Sequence, residues 1–218
     1  EILTRTETIL VNTEDETIPS GVLQIIDKEG NVVDSWSTTD EWHITWGLTE
    51  GEEYTIHQVS TPYPYRVAKD DTFEVLQGEI TYVKVINDKV KDVTISKKVS
   101  GSGANTEDVF NYHVTITNGE HNVNHVVETP NGNLTLTTDN TGSGELDFTM
   151  KHNESVKIKG VYKDAVVTVT ESANKYVASY QVDNGTRTIN PTNNMDLTST
   201  ITMGDNDVSI AFENTLTI

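Results

Sequence analysis

The sequence predicts an all-β chain of two sandwich domains, and three observations carry that prediction. Thr (33) and Val (25) dominate the 218 residues, while Ala and Leu together supply 16. β-Branched side chains suit the pleated strand and lose rotamer freedom in a helix, so a helical bundle is excluded. Turn signals recur at short intervals: Lys28-Glu29-Gly30-Asn31, Thr49-Glu50-Gly51, Asn118-Gly119, Asn131-Gly132, Gly142-Ser143-Gly144 and Asp183-Asn184-Gly185. Between them lie short runs such as Val22–Ile26, Ile80–Ile86, Val114–Thr117, Val166–Thr170 and Val208–Phe212, and no segment has the periodicity of an amphipathic helix. Short strands at regular spacing with Gly/Asn turns indicate a sandwich or barrel.

The division falls near residue 90, at Asn87-Asp88-Lys89-Val90-Lys91-Asp92, where one apolar strand ends and an alternating one begins at Val93. Residues 1–90 and 91–218 are each long enough to bury a core of their own. The link has no Gly/Ser or Pro run, so two sandwiches are expected end to end with limited play.

Charge and composition remove several function classes. Fifteen basic against 34 acidic residues give a formal net charge of −19, which repels phosphate backbones and anionic lipid. No apolar run approaches the roughly 20 residues that cross a bilayer. With no cysteine, disulfides and thiolate chemistry are absent. The chain starts at Glu1, so it is read as a processed or excised piece of a longer protein.

The most informative residues lie beyond residue 90. In Val93-Thr94-Ile95-Ser96-Lys97-Lys98-Val99, period-2 alternation turns Lys97 inward with Val93, Ile95 and Val99. In Val208-Ser209-Ile210-Ala211-Phe212-Glu213-Asn214 the same alternation turns Asn214 inward, and in Val167-Thr168-Val169-Thr170-Glu171 it turns Glu171 inward. An amine, a carboxamide and an acid thus occupy apolar faces of three strands, and polar residues at core positions need a reason. Spacing alone leaves two bland readings open beside a reactive cluster: a Lys97 stem that keeps its ammonium wet, or a Lys97–Glu171 ion pair.

Two resemblances bear on the choice. In the first domain the order Gly21-Val22-Leu23-Gln24-Ile25-Ile26-Asp27-Lys28-Glu29-Gly30-Asn31-Val32, then Gly47-Leu48-Thr49-Glu50-Gly51-Glu52-Glu53-Tyr54, then Pro62-Tyr63-Pro64-Tyr65 resembles the collagen-adhesin B-type (Cna-B, prealbumin-like) repeat of Gram-positive surface proteins. The resemblance covers residues 8–88 and implies an immunoglobulin-like stalk module. Many such repeats carry an internal Lys–Asn isopeptide bond assisted by a buried acid. Here Gln58 stands in the acid's place, Asn87 in the terminal Asn's, and Asn12 or Thr13 in that of the Lys. Lacking an amine, Gln58 and Asn87 are expected to form a buried hydrogen-bond cluster. A Thr13–Asn87 ester is the remaining covalent option.

Residues 91–218 are similar to the C-terminal isopeptide domain of the streptococcal major pilin, through Ile95-Ser96-Lys97-Lys98-Val99-Ser100-Gly101, Phe110-Asn111-Tyr112-His113-Val114, Val156-Lys157-Ile158-Lys159-Gly160, Val169-Thr170-Glu171-Ser172 and Phe212-Glu213-Asn214-Thr215. The similarity implies that Lys97 and Asn214 are the bond-forming pair and Glu171 the catalytic acid. Burial would supply a neutral amine and favour a protonated Glu171 able to polarise the Asn214 amide and relay the proton. Such a protein modifies itself once and is not an enzyme with turnover. The implied setting is the extracellular surface, with the full-length protein anchored to the cell wall. The implied partners are neighbouring domains or pilin subunits, with any host ligand bound through another domain. No cofactor, nucleic acid or membrane contact is expected of this fragment.

The weaker signals are bland. Trp42, Ile44 and Trp46 alternate on one face with Trp36 nearby. This is read as inter-sheet packing, with a carbohydrate- or host-protein-binding face as the alternative. His121 and His125, four apart on a strand, would lie about 13 Å apart, too far to share a metal. Asp139–Asp147 lacks an EF-hand pattern and is read as a hairpin turn.

Overall fold

The computed structural model describes residues 3–190, 192 and 194–218, and the chain divides into two compact units between Lys89 and Val90. Every regular element among the described residues is a strand.

The first unit contains β1 (Arg5–Asn12), β2 (Val22–Ile26), β3 (Val32–Ser37), β4 (His43–Trp46), β5 (Glu53–Ser60), β6 (Asp71–Glu74) and β7 (Ile80–Asn87). They form a three-stranded sheet, β4-β1-β7, and a four-stranded sheet, β3-β2-β5-β6. The first and last strands, β1 and β7, pair in parallel, whereas the other pairings are antiparallel. Alternation fills the space between the sheets: Leu23 and Ile25 of β2, Tyr54 and Ile56 of β5, and Val83 and Val85 of β7 are buried.

The second unit contains β8 (Lys91–Ser100), β9 (Phe110–Thr117), β10 (Asn124–Thr129), β11 (Gly132–Thr137), β12 (Gly144–Met150), β13 (Ser155–Val161), β14 (Val166–Glu171), β15 (Val177–Val182), β16 (Thr188–Ile189), β17 (Leu197–Thr202) and β18 (Val208–Thr215). A seven-stranded sheet runs β11-β10-β13-β8-β18-β15-β16, and a four-stranded sheet runs β12-β9-β14-β17. Again the first and last strands, β8 and β18, are parallel neighbours. The core includes Val93, Ile95, Tyr112, Val114, Ile158, Val167, Val169, Ile210 and Phe212. Of these, Val93, Ile95, Val167, Val169, Ile210 and Phe212 are the inward phases that the alternation predicted.

Just past the end of β8, Gly101 adopts φ +102°, and a Cβ there would sit 2.2 Å from the Leu216 carbonyl oxygen. Only glycine allows this approach. The segment Thr138–Ser143 differs from its expected form. It links β11 to β12, which belong to different sheets, so it is a crossover and not a hairpin. Asp139 nevertheless caps the turn, accepting from Thr141 N at 2.8 Å and Ser143 N at 3.1 Å.

Candidate functional site

Three strands of the second unit deliver the site. Lys97 lies mid-strand on β8, opposite Phe212 of β18 in the parallel register, and Asn214 lies two residues further along β18. Glu171 ends β14 in the facing sheet, between Tyr112 of β9 and Leu197 of β17. Each sits at the inward phase of its strand, so the three side chains enter one core from both sheets. Their exposures are 1%, 1% and 0% for Lys97, Glu171 and Asn214.

The contacts are direct. Lys97 Nζ donates to Glu171 Oε2 at 2.6 Å and also to Asn214 Oδ1. Asn214 Nδ2 donates to Glu171 Oε1. The wet-ammonium reading therefore fails, because the whole Lys97 side chain is enclosed, whereas the Lys97–Glu171 ion pair is present. Its ammonium also lies 3.9 Å from the Phe110 ring centroid, a cation–π contact inside the core. Burial pulls the Lys97 amine down to about 8, against the opposing attraction of Glu171.

Two further residues complete the cluster that strand phase alone did not assign to the chemistry. Tyr112 OH donates to Glu171 Oε2 at 2.5 Å, and Asn174 Nδ2 donates to Glu171 Oε1 at 3.1 Å. Burial and the adjacent Glu171 hold the Tyr112 phenol well above its ordinary range, so it remains a neutral donor. Tyr112 was partly legible, since its phase in Phe110–Val114 is inward and a buried Tyr needs a partner for its hydroxyl. Asn174 follows β14 in an irregular segment and carries no periodic signal.

Glu171 thus has four polar neighbours, two on each oxygen. A neutral amine with a protonated acid and an ammonium–carboxylate pair differ by one proton moved across the 2.6 Å contact.

In the first unit the expected amide cluster is present. Gln58 and Asn87 exchange two hydrogen bonds, Nε2 to Oδ1 at 2.9 Å and Nδ2 to Oε1 at 2.7 Å. Thr61 Oγ1 adds a third at 2.6 Å, and Ala68 N donates to Gln58 Oε1 at 2.9 Å. Thr13 is exposed beyond the end of β1, which removes it from this cluster and with it the ester. The parallel registers locate the true equivalent of Lys97. As Lys97 faces Phe212 two residues before Asn214, Leu10 faces Val85 two residues before Asn87. Leu10 is fully buried, so an apolar side chain fills the amine's place.

The tryptophan stripe is a second correction. Trp42 is 38% and Trp46 54% exposed, whereas Thr45 between them is buried. The alternation was real, but its apolar phase faces outward. β4 adds to the edge of β1 with Thr45 paired to Thr6, and both point into the core. Trp36 is half-buried and stacks on His43 with ring centroids 3.8 Å apart. Outside these clusters, His125 is buried on β10 and donates from Nδ1 to the Lys159 carbonyl at 2.8 Å.

Comparison with known proteins places the chain. No curated protein matches it. Residues 91–214 match the family described as "Domain of unknown function (DUF7601)", a span that begins with β8 and ends on Asn214. The chain belongs to the DUF7601 family. Among solved structures, the major pilin from Streptococcus pyogenes is similar over 99% of this chain and 98% of its own, with 15% identity and a TM-score of 0.54. A second S. pyogenes major pilin protein is similar over 99% and 98%, with 11% identity and a TM-score of 0.51. At such identities the shared property is the fold: the described residues of this DUF7601 chain have the all-β sandwich architecture of the S. pyogenes major pilin.

Proposed function

We propose that this chain is part of the structural shaft of a Gram-positive surface pilus or cell-wall-anchored adhesin, and that its second unit locks itself with an autocatalytic isopeptide bond between Lys97 and Asn214. The observation that carries the reading is the enclosed contact of Lys97, Glu171 and Asn214. An ammonium, a carboxylate and a primary amide buried in mutual contact have no simple role in stability, since burying such a pair costs several kcal/mol per ion before its attraction offsets this. As reactants they are well placed.

Glu171 presents one oxygen to each end of the reaction. Oε2 faces the amine that must lose a proton, and Oε1 faces the amide nitrogen that must leave. The Lys97 ammonium passes one proton to Oε2, and the freed lone pair adds to Asn214 Cγ. In the tetrahedral intermediate the attacking nitrogen gives up a second proton through the carboxyl, Nδ2 accepts one, and the C–N bond to Nδ2 breaks. Lys–NH₃⁺, Glu–COO⁻ and Asn–CO–NH₂ become a secondary amide, ammonia and Glu–COOH, so atoms and charge balance. Enclosure excludes water, and folding holds the reactants together. The event happens once per molecule, without turnover or cofactor.

The surface setting and assembly with other subunits of the same structure rest on the pilin-like fold and the acidic, cysteine-free composition. The direct experiment is the intact mass of the purified chain, expected to be one ammonia below the sequence mass. A second reading is favoured by the outward-facing Trp42 and Trp46, joined on their sheet by the exposed Tyr82: a sugar or host-protein platform. Glycan-array binding that is lost in Trp42→Ala is its expected signature, and an array without binding excludes the sugar.

A further inference from the structure

We propose that Asn174 is a positioning residue for the cross-linking step, fixing which end of the Asn214 amide faces the acid; the inference rests on the self-cross-linking reading above. Asn174 Oδ1 accepts from the Tyr176 backbone N–H at 2.9 Å, and its Nδ2 donates to the Ser172 backbone carbonyl at 3.1 Å. A backbone N–H only donates and a carbonyl only accepts, so the orientation of the Asn174 amide is set by the main chain. The fixed Oδ1 then lies 3.3 Å from Asn214 Nδ2. That contact requires the Asn214 nitrogen on the Asn174 side and turns the Asn214 oxygen toward Lys97.

This matters most in the reactive state. While Lys97 and Glu171 are charged, they orient the Asn214 amide themselves, because the ammonium needs an acceptor and the carboxylate needs donors. Once the proton has moved, that preference is lost. A protonated Glu171 could donate to Asn214 Oδ1, and Nδ2 could donate to the lone pair of the neutral amine. The reversed amide would occupy the very lone pair that must attack, with the leaving nitrogen turned away from Glu171. Asn174 opposes that reversal, since its fixed oxygen accepts from an N–H but not from a carbonyl. Its own Nδ2 also holds Glu171 Oε1 at 3.1 Å, keeping the acid beside the departing nitrogen.

The test is a time course of cross-linking in full-length chains made by cell-free synthesis, quenched in acid and read by intact mass. Asn174→Ala is expected to lose its ammonia at least about tenfold more slowly than wild type, the scale of one hydrogen bond in a barrier. Asn174→Ser separates positioning from loop structure. A serine hydroxyl can still cap the Tyr176 N–H but is too short to reach Asn214, so it should be equally slow. A wild-type rate in either variant overturns the proposal.

The pH profile gives a readout that loosening of the fold would move differently. The charged and titratable groups acting on Lys97 are Glu171, Glu213 and the Tyr112 phenol. None is substituted in the variants, which remove one donor from Glu171 but keep the burial that chiefly lowers Lys97, so their rates should break near about 8 as in wild type. A break displaced toward the ordinary lysine range would mean that water has entered the site, and would overturn the positioning role. A wild-type chain that never loses ammonia would refute the underlying reaction instead, a distinguishable result.

Discussion

Pulled by its two ends in a single-molecule experiment, the chain is expected to lengthen by the contour of its first unit alone. In both units the first and last strands are parallel neighbours, β1 with β7 and β8 with β18, so tension on the termini shears that pair. The first unit has Leu10 in the amine's place and only hydrogen bonds at Gln58 and Asn87. It should unfold and release up to about 30 nm at roughly 3.4 Å per residue. In the second unit the amide would join residues 117 positions apart, bridging the sheared strands within two residues of register. Force then bypasses the domain, and the segment between Lys97 and Asn214 stays folded. Lys97→Ala should restore its extension. By the chain-entropy account, closing a loop of about 100 residues is worth roughly 4.7 kcal/mol, a large share of the roughly 5–15 kcal/mol that holds a domain. Lys97→Ala is therefore also expected to lower the melting temperature of the second unit by at least about 10 °C. Full-length extension of both wild-type units would refute this mechanical account.

Removal of the acid should abolish the bond while leaving both reactants in the core. Glu171→Ala takes away the one group that, among the described residues, touches both Lys97 Nζ and Asn214 Nδ2 through oxygen. The chain should keep its strands by circular dichroism and show its full sequence mass. Glu171→Gln should behave alike, because an amide cannot carry the proton from one nitrogen to the other. The shuttle also fixes the sign of the pH dependence. Below about 8 the Lys97–Glu171 pair holds one shared proton; above it the amine loses that proton and no acid remains for the leaving ammonia. Cross-linking of newly made chain should slow as pH rises through about 8. A rate that instead keeps climbing would show that freeing the amine, not relaying the proton, limits the step. Normal cross-linking in Glu171→Ala would remove Glu171 from the mechanism.

What could be read in advance was whatever strand alternation encodes. The inward phase of Lys97, Glu171 and Asn214 followed from period-2 spacing against Val and Ile neighbours, and the structure brings all three together. Alternation does not encode which strands are neighbours. The first-unit counterpart of Lys97 depends on the parallel register of β1 on β7, which makes it Leu10 and leaves Thr13 outside. Nor does it say which side of a strand is wet. Trp42, Ile44 and Trp46 share a face as expected, yet β4 docks on the edge of β1 with Thr45 inward, so the aromatic face is the outer one. Asn174 was invisible for a different reason, since its role depends on a loop bending back to the end of β14. The Asp139 loop was misread as a hairpin because strand order, which sends it between sheets, has no local signature.

The central claim is a covalent bond between Lys97 and Asn214, and mass spectrometry of the purified chain tests it most directly. The account predicts an intact mass one ammonia below the sequence mass and, after proteolysis, a branched peptide joining the Lys97 and Asn214 segments. The full sequence mass would contradict it, and so would a deficit of two ammonias, which would require a second bond in the unit where Leu10 stands.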